Sequence, residues 1–257
     1  MPSENVAPPE SGDRRTRKRE ARRLHLLDLA ADLVDRDGVE GVTMAALAEA
    51  ADYAPASLYT YFPSRSALLA DLQHRALEVL GEVATNALSQ WDAAIAEASP
   101  ARDVAALARL CAFSGLFLTA PEHHPREFRL QQQLLVSPGV EDVADAGRVV
   151  PAAFAVLAVP RDLLAAASDA GALTSGPPVT DPLGETVDVP IVRTLSWVVA
   201  LNGALLTDAL VTGLPTTGRA LGEHLTDTLL LGWGASPDRL TEARSLAATW
   251  TDPKGDR

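Results

Sequence analysis

The chain has 257 residues, 47% hydrophobic and 22% charged, the make-up of an ordinary globular protein with room for a small domain beside a larger one. No apolar run is expected to reach the roughly 20 residues of a membrane span, and a single cysteine, Cys111, excludes an intramolecular disulfide. The N-terminus is polar and arginine-rich, without the apolar segment of a signal peptide, so a cytoplasmic location with no membrane partner is expected.

The net charge of −12 argues against nucleic acid until its distribution is considered. Residues 14–23 read RRTRKREARR, a local +6, which leaves −18 on the other 247 residues. A concentrated basic arm on an acidic body suits a local contact with DNA and little coating elsewhere. A solvated basic tail is the alternative for the arm taken alone.

Residues 1–13 are Pro-, Ser- and Glu-rich and are expected to be disordered, as part of an arm over 1–16. A helix is predicted from about 17 to 37, because Leu24, Leu27, Ala31 and Val34 share one face. Gly38 sits where a C-terminal cap belongs. Thr43 is an N-cap ahead of a short helix to about Ala51. Pro55 opens a further short helix, where its fixed φ and missing N–H do no harm, and Phe62-Pro63 ends it. Ser64 caps a helix to about Val83, with Leu68, Leu72 and Val79 on one side.

Beyond residue 84 the pattern predicts helices only, over 84–98, 101–120, 125–136, 141–170, 190–213, 217–234 and 237–250. The Gly/Pro/Thr-rich stretch 171–189 reads as a long loop. The fold class is therefore all-α. Three parts are expected: the arm over 1–16, a helix-turn-helix domain over 17–63, and a larger helical domain over 64–257 entered through a connecting helix at 64–83.

The informative stretch is TMAALAEAADYAPASLYTYF, residues 43–62. Two short helices crossing closely need a small residue at the crossing, and Ala48 fits. The turn needs a residue that tolerates left-handed backbone, and Asp52 is among the few besides glycine that do. The second helix needs one apolar side chain to bury, which is Leu58, with Leu47 and Tyr53 completing the small core.

From about Arg19 to Leu72 the chain resembles the DNA-binding domain of the tetracycline-repressor (TetR) family. The matching pieces are DGVEGVTM, AALAEAA and SLYTYFPSRSALL. The stretch from Arg19 to Leu72 covers about a fifth of the chain. Two positions depart from the family pattern: Asp52 stands for the usual turn glycine, and Ala54 for the usual serine or threonine. The family's base preference therefore does not carry over. The resemblance implies that Thr43 holds a phosphate, that Tyr59 and Tyr61 reach flanking phosphates or sugars, and that Arg65 pairs with a phosphate. It places Pro55, Ala56, Ser57 and Thr60 toward the major groove, where base edges are read. Few of these are long and polar, so readout would lean on thymine methyls and DNA shape. The arm, through Arg14, Arg15, Arg17, Lys18 and Arg19, would add contacts in the adjacent minor groove. Among the aromatics, Phe62 is assigned to the core.

The larger domain carries no motif of its own. The helices at 190–213 and 217–234 are unusually apolar. Val192, Leu195, Val199, Leu206 and Leu210 line one side of the first, and Leu221, Leu225, Leu229 and Trp233 one side of the second. The resemblance implies an intermolecular four-helix bundle in a homodimer; an ordinary intramolecular core pair is the alternative. A pocket for a small hydrophobic or aromatic ligand is expected between helices near 84–175. Trp91, Phe113, Leu116 and Phe117 are its candidate walls, and Arg129, Gln132 and Gln133 its candidate anchors. His123-His124 read as a helix-boundary pair, because adjacent histidines on a helix diverge by about 100°. No metal or other cofactor is expected. Cys111 reads as a buried structural thiol.

No phosphate loop, nucleophile motif or paired metal ligands suggest an enzyme. The expected function is a sequence-specific DNA-binding regulator that acts on an inverted-repeat operator in double-stranded DNA. A repressor released by a small molecule is the leading form. The alternatives are a constitutive regulator without a ligand and a helical adaptor.

Overall fold

The computed structural model describes residues 11–136, 143–174, 189–210 and 216–251, and among these every regular element is a helix. Residues 175–188 of the predicted loop at 171–189, and the first ten residues, lie outside the described residues. Two compact units form. One holds the chain up to Arg75 together with Arg129–Val149; the other holds Ala76–Phe128 and Val150–Arg257. The units thus divide inside a helix after Arg75, whereas the sequence border at 64 marks only where that helix begins.

In the smaller unit, α1 spans Ser11–Gly41. Leu26, Leu27, Ala30, Leu33 and Val34 are buried at three- and four-residue spacing, the stripe that holds the helix to its neighbours. The helix is interrupted at Gly38, whose φ of 72° and ψ of 180° are open to glycine and costly for most other residues. α1 begins six residues earlier than the predicted start near 17. The basic run is therefore part of a helix and not of a disordered arm, since Arg, Lys and Glu are good helix formers that continue the helix from its packed portion.

α2 (Met44–Ala50) starts at Thr43, whose Oγ1 accepts from the Ala46 N–H at 3.0 Å. Asp52 takes the left-handed turn position at φ 55°. α3 (Pro55–Leu58) is a single turn with proline at its start and no side-chain cap from Ala54. Leu47 and Leu58 are fully buried, and Ala48 is buried between the crossing helices. α4 follows over Arg65–Ala98, opened by Ser64, whose Oγ accepts from the Ala67 N–H at 3.0 Å. The predicted division near 84 is absent. Nothing at 84–98 breaks helix geometry, so α4 runs on for 34 residues.

In the larger unit, α5 (Arg102–His123) is the central helix. It packs chiefly against α10 (Pro237–Thr251), and also against α9 (Gly218–Gly232) and α8 (Val189–Leu210). α6 (Pro125–Val136) from Arg129 on, and α7 (Val143–Asp169) up to Val149, belong to the smaller unit, and the rest of α7 belongs to the larger. The Trp197 ring is fully buried, 5.3 Å from that of Phe113, and Trp91 stacks on Trp250 at 6.3 Å. A buried polar cluster ties three helices together. Thr226 Oγ1 accepts from Trp197 Nε1 at 3.0 Å, lies 2.9 Å from Ser114 Oγ, and donates to the Gly222 carbonyl at 3.0 Å. Gly222 lets α9 approach α5 closely: a Cβ there would stand 2.4 Å from Leu118 Cδ2.

Two helices correct the expectation that no apolar run approaches a membrane span. α5 and residues 149–169 of α7 are long and apolar enough by composition. α5 owes that composition to its place in the core of the larger unit, where Val104, Leu107 and Leu110 are fully buried.

Candidate nucleic-acid interface

The helix-turn-helix presents its second helix outward. Pro55, Ala56, Ser57, Tyr59 and Thr60 are exposed, while Leu58 and Phe62 on the opposite side are fully buried. Leu58 ends the one-turn helix, and Phe62, just past it, is turned inward with Leu58 by the bond from its own N–H to the Leu58 carbonyl at 2.9 Å. Tyr59 stands 53% exposed, which is costly for an aromatic ring unless another surface covers it. Tyr61 is half-buried. Thr43 is exposed at the start of α2; its oxygen is committed to the Ala46 N–H, and its hydroxyl proton remains available to an acceptor outside. The Thr60 hydroxyl donates to the Ser57 carbonyl at 2.7 Å, which leaves its lone pairs for an outside donor.

Arg14, Arg15, Arg17 and Lys18 are all exposed along the first turns of α1. Successive residues on a helix point about 100° apart, so these four spread around α1 and do not form one strip. Two other predicted DNA contacts, Arg19 of the arm and the phosphate contact Arg65, are engaged internally. Arg19 Nη2 donates to the Thr60 carbonyl at 2.9 Å. Arg65 donates from Nε to the Val42 carbonyl at 2.6 Å and from Nη2 to the Val39 carbonyl at 3.0 Å, with Glu40 at 3.7 Å. A third arginine, Arg23, was not singled out by the sequence reading. It pairs with buried Asp71 and lies 5.5 Å above the Phe62 ring.

Residues 26–72 match the family described as bacterial regulatory proteins, tetR family. Over those residues the chain is similar to the N-terminal domain of this family. This match supports a DNA-binding transcriptional regulator and carries no enzymatic motif. Solved structures share the fold at low identity. RolR, in a complex with resorcinol, is 19% identical at a TM-score of 0.53, covering 91% of this chain and 96% of that one. SmeT, the repressor of the Stenotrophomonas maltophilia multidrug efflux pump SmeDEF, is 18% identical at 0.53, covering 84% and 92%. The fatty acid degradation regulator FadR from Bacillus halodurans is 16% identical at 0.52, covering 80% and 97%. Among curated proteins, none matches the chain in sequence.

The candidate ligand residues of this chain fall in different places. Trp91 and Phe113 are core residues of the larger unit, and Leu116 and Phe117 pack half-buried against the same core. The Phe117 ring meets those of Phe113 at 6.4 Å and Phe128 at 6.0 Å. Arg129, Gln132 and Gln133 belong to the smaller unit. Arg129 is exposed, with Nη1 3.5 Å from the Val34 carbonyl, and the two glutamines are half-buried. Walls and anchors are therefore not gathered within a single unit. His123 ends α5, with Nδ1 3.0 Å from the Thr119 carbonyl, and His124 is that helix's C-cap. Cys111 packs against the core, and loss of solvent pushes its thiol up to about 12 against the opposing pull of Arg244.

On α8, Ile191, Leu195, Val199 and Leu206 form an exposed apolar strip, with Val199 63% exposed, while Thr194, Trp197, Val198 and Leu201 face inward. Of the predicted strip on α9, Leu229 and Trp233 pack against the chain's own core and Leu221 and Leu225 are half-buried, while Leu231, outside that strip, is exposed.

Proposed function

We propose that this regulator is a repressor that binds an inverted-repeat operator as a homodimer and leaves it when a small apolar ligand enters the larger unit. The observation that carries the DNA part is the outward face of α3, where Pro55, Ala56, Ser57, Tyr59 and Thr60 are exposed over a buried Leu58 and Phe62. In this reading Pro55, Ala56, Ser57 and Thr60 meet base edges in the major groove. Thr43, Tyr59 and Tyr61 hold phosphates through their hydroxyls, and Arg14, Arg15, Arg17 and Lys18 add non-specific attraction.

The exposed strip on α8 supports the dimer. An aliphatic row at 191, 195, 199 and 206 is costly in water and is covered economically by the same row of a second copy. Two recognition helices on a two-fold axis then require two related half-sites. Release is supported by α4, one unbroken helix that starts after the recognition turn and carries Trp91 into the core of the larger unit. A ligand that changed the tilt of α4 would alter the spacing of the two recognition helices. RolR, with its resorcinol, and SmeT, a repressor of a drug efflux pump, are proteins of this fold whose names fit such a reading. A typical coupling of about 1–3 kcal/mol would weaken operator binding about 5- to 150-fold.

The test is a gel shift with duplexes selected by the chain from a random pool, followed by a screen of aromatic and aliphatic small molecules for release. A palindromic selected site and at least one releasing compound are expected. Selected sites without two-fold symmetry would remove the dimer reading. Release by no compound would leave a constitutive regulator.

A further inference from the structure

α3 is too short to hold itself. A single turn closes almost no internal hydrogen bonds, and this one has no side-chain cap at Ala54. Its shape must be imposed from outside, yet its outer face has to stay open for reading bases. Leu58 and Phe62 anchor it from below. What fixes the turn just past its C-terminal end is Arg19, which reaches from α1 to the Thr60 carbonyl, two residues beyond the last residue of α3. At the other end of the motif Arg65 gathers two carbonyls, of Val39 and Val42, and so fixes the linker that leads to Thr43. Both arginines sit in basic or recognition segments, where a phosphate contact is the first assumption for a positive charge.

We propose that Arg19 and Arg65 are positioning residues for DNA reading, which brace the two ends of the helix-turn-helix through backbone carbonyls and do not act as phosphate contacts. The two roles have different physical signatures. A phosphate contact releases counterions, so its loss weakens all DNA alike and lowers the salt slope by about one unit. A brace holds base-reading side chains in register, so its loss weakens selected DNA more than unrelated DNA and leaves the slope unchanged. The proposal rests on α3 being the base-reading helix. One arm of its test needs no DNA, so the two ideas can fail separately.

Arg19→Ala is the main variant, because Arg19 is exposed and its removal opens no core. Arg15→Ala, on the same helix, serves as the charge-matched control. In the free full-length protein, hydrogen exchange of the peptide covering 58–62 should quicken several-fold in Arg19→Ala and stay unchanged in Arg15→Ala. Arg65→Ala should do the same for the peptide covering 39–47. Against a duplex selected by the wild-type chain, Arg19→Ala should bind about 10- to 150-fold more weakly, the weight of one hydrogen bond from a charged donor. Unrelated duplex should be bound as before, with the wild-type salt slope. Unchanged exchange together with a slope reduced by about one unit on both duplexes would make Arg19 a phosphate contact. Unchanged exchange with unchanged binding would show that the bond holds nothing. Either result overturns the proposal.

Discussion

Replacing Thr226 by valine keeps the side chain's shape and removes one oxygen, and that oxygen is a junction. It accepts from the Trp197 indole N–H on α8, lies within hydrogen-bond distance of Ser114 on α5, and donates to the Gly222 carbonyl on its own helix. Thr226 is 1% exposed, Ser114 2% and Trp197 0%, so water cannot substitute for the lost partner. Leaving the indole N–H unsatisfied costs about 1–3 kcal/mol. Ser114 loses less, because a helical serine can turn its hydroxyl back to a carbonyl four residues earlier. The Gly222 carbonyl loses only a secondary bond. The expected total is about 2–4 kcal/mol, of which valine's extra apolar contact returns a small part. For a chain of this size that lowers the melting temperature by about 5–15 °C. Urea unfolding followed by tryptophan fluorescence, at fixed protein concentration, measures the loss. Thr226→Ser keeps the junction and should lose markedly less than Thr226→Val. A Thr226→Val protein within about 0.5 kcal/mol of wild type would refute the reasoning, since it would mean that the indole finds another partner. Because the same junction orients α8, the valine variant should also weaken self-association through the exposed strip on that helix.

Three shorter predictions follow from other observations. Val199→Glu places a charge in the middle of the α8 strip and should give a folded monomer in light scattering at micromolar concentration, while a persistent dimer would move the interface elsewhere. Asp52→Gly removes the cost of a left-handed φ of 55° and should stabilise the chain by a few tenths to about 1 kcal/mol, whereas Asp52→Val should destabilise it, both read from urea midpoints. The Cys111 thiol, raised to about 12 in the folded chain, ionises earlier once unfolded, so the folded state holds the proton more tightly between pH about 9 and 12. Stability from this group is therefore full below about pH 9 and falls as the pH rises toward 12; Cys111→Ser should flatten that fall in urea titrations at pH 8 to 11.

Much of the motif was legible in the sequence alone, because each signal there is local. Thr43 caps α2, Gly38 takes positive φ, Asp52 takes the left-handed turn, Pro55 opens α3 and Ser64 caps α4, all through bonds or torsions within a few residues. Leu47, Ala48, Leu58 and Phe62 are buried as the spacing of apolar residues required. What needed the tertiary structure was every contact over long sequence distance. A guanidinium reads the same in a sequence whether it meets a phosphate or a carbonyl 41 residues away, and only the fold showed that Arg19 meets Thr60. The continuity of α4 was hidden because an absent break leaves no mark in the composition. The inward turn of Leu229 and Trp233, against the outward strip on α8, was equally hidden. Both helices are apolar on several sides, and hydrophobicity alone does not distinguish a face buried in the chain's own core from one left for a partner.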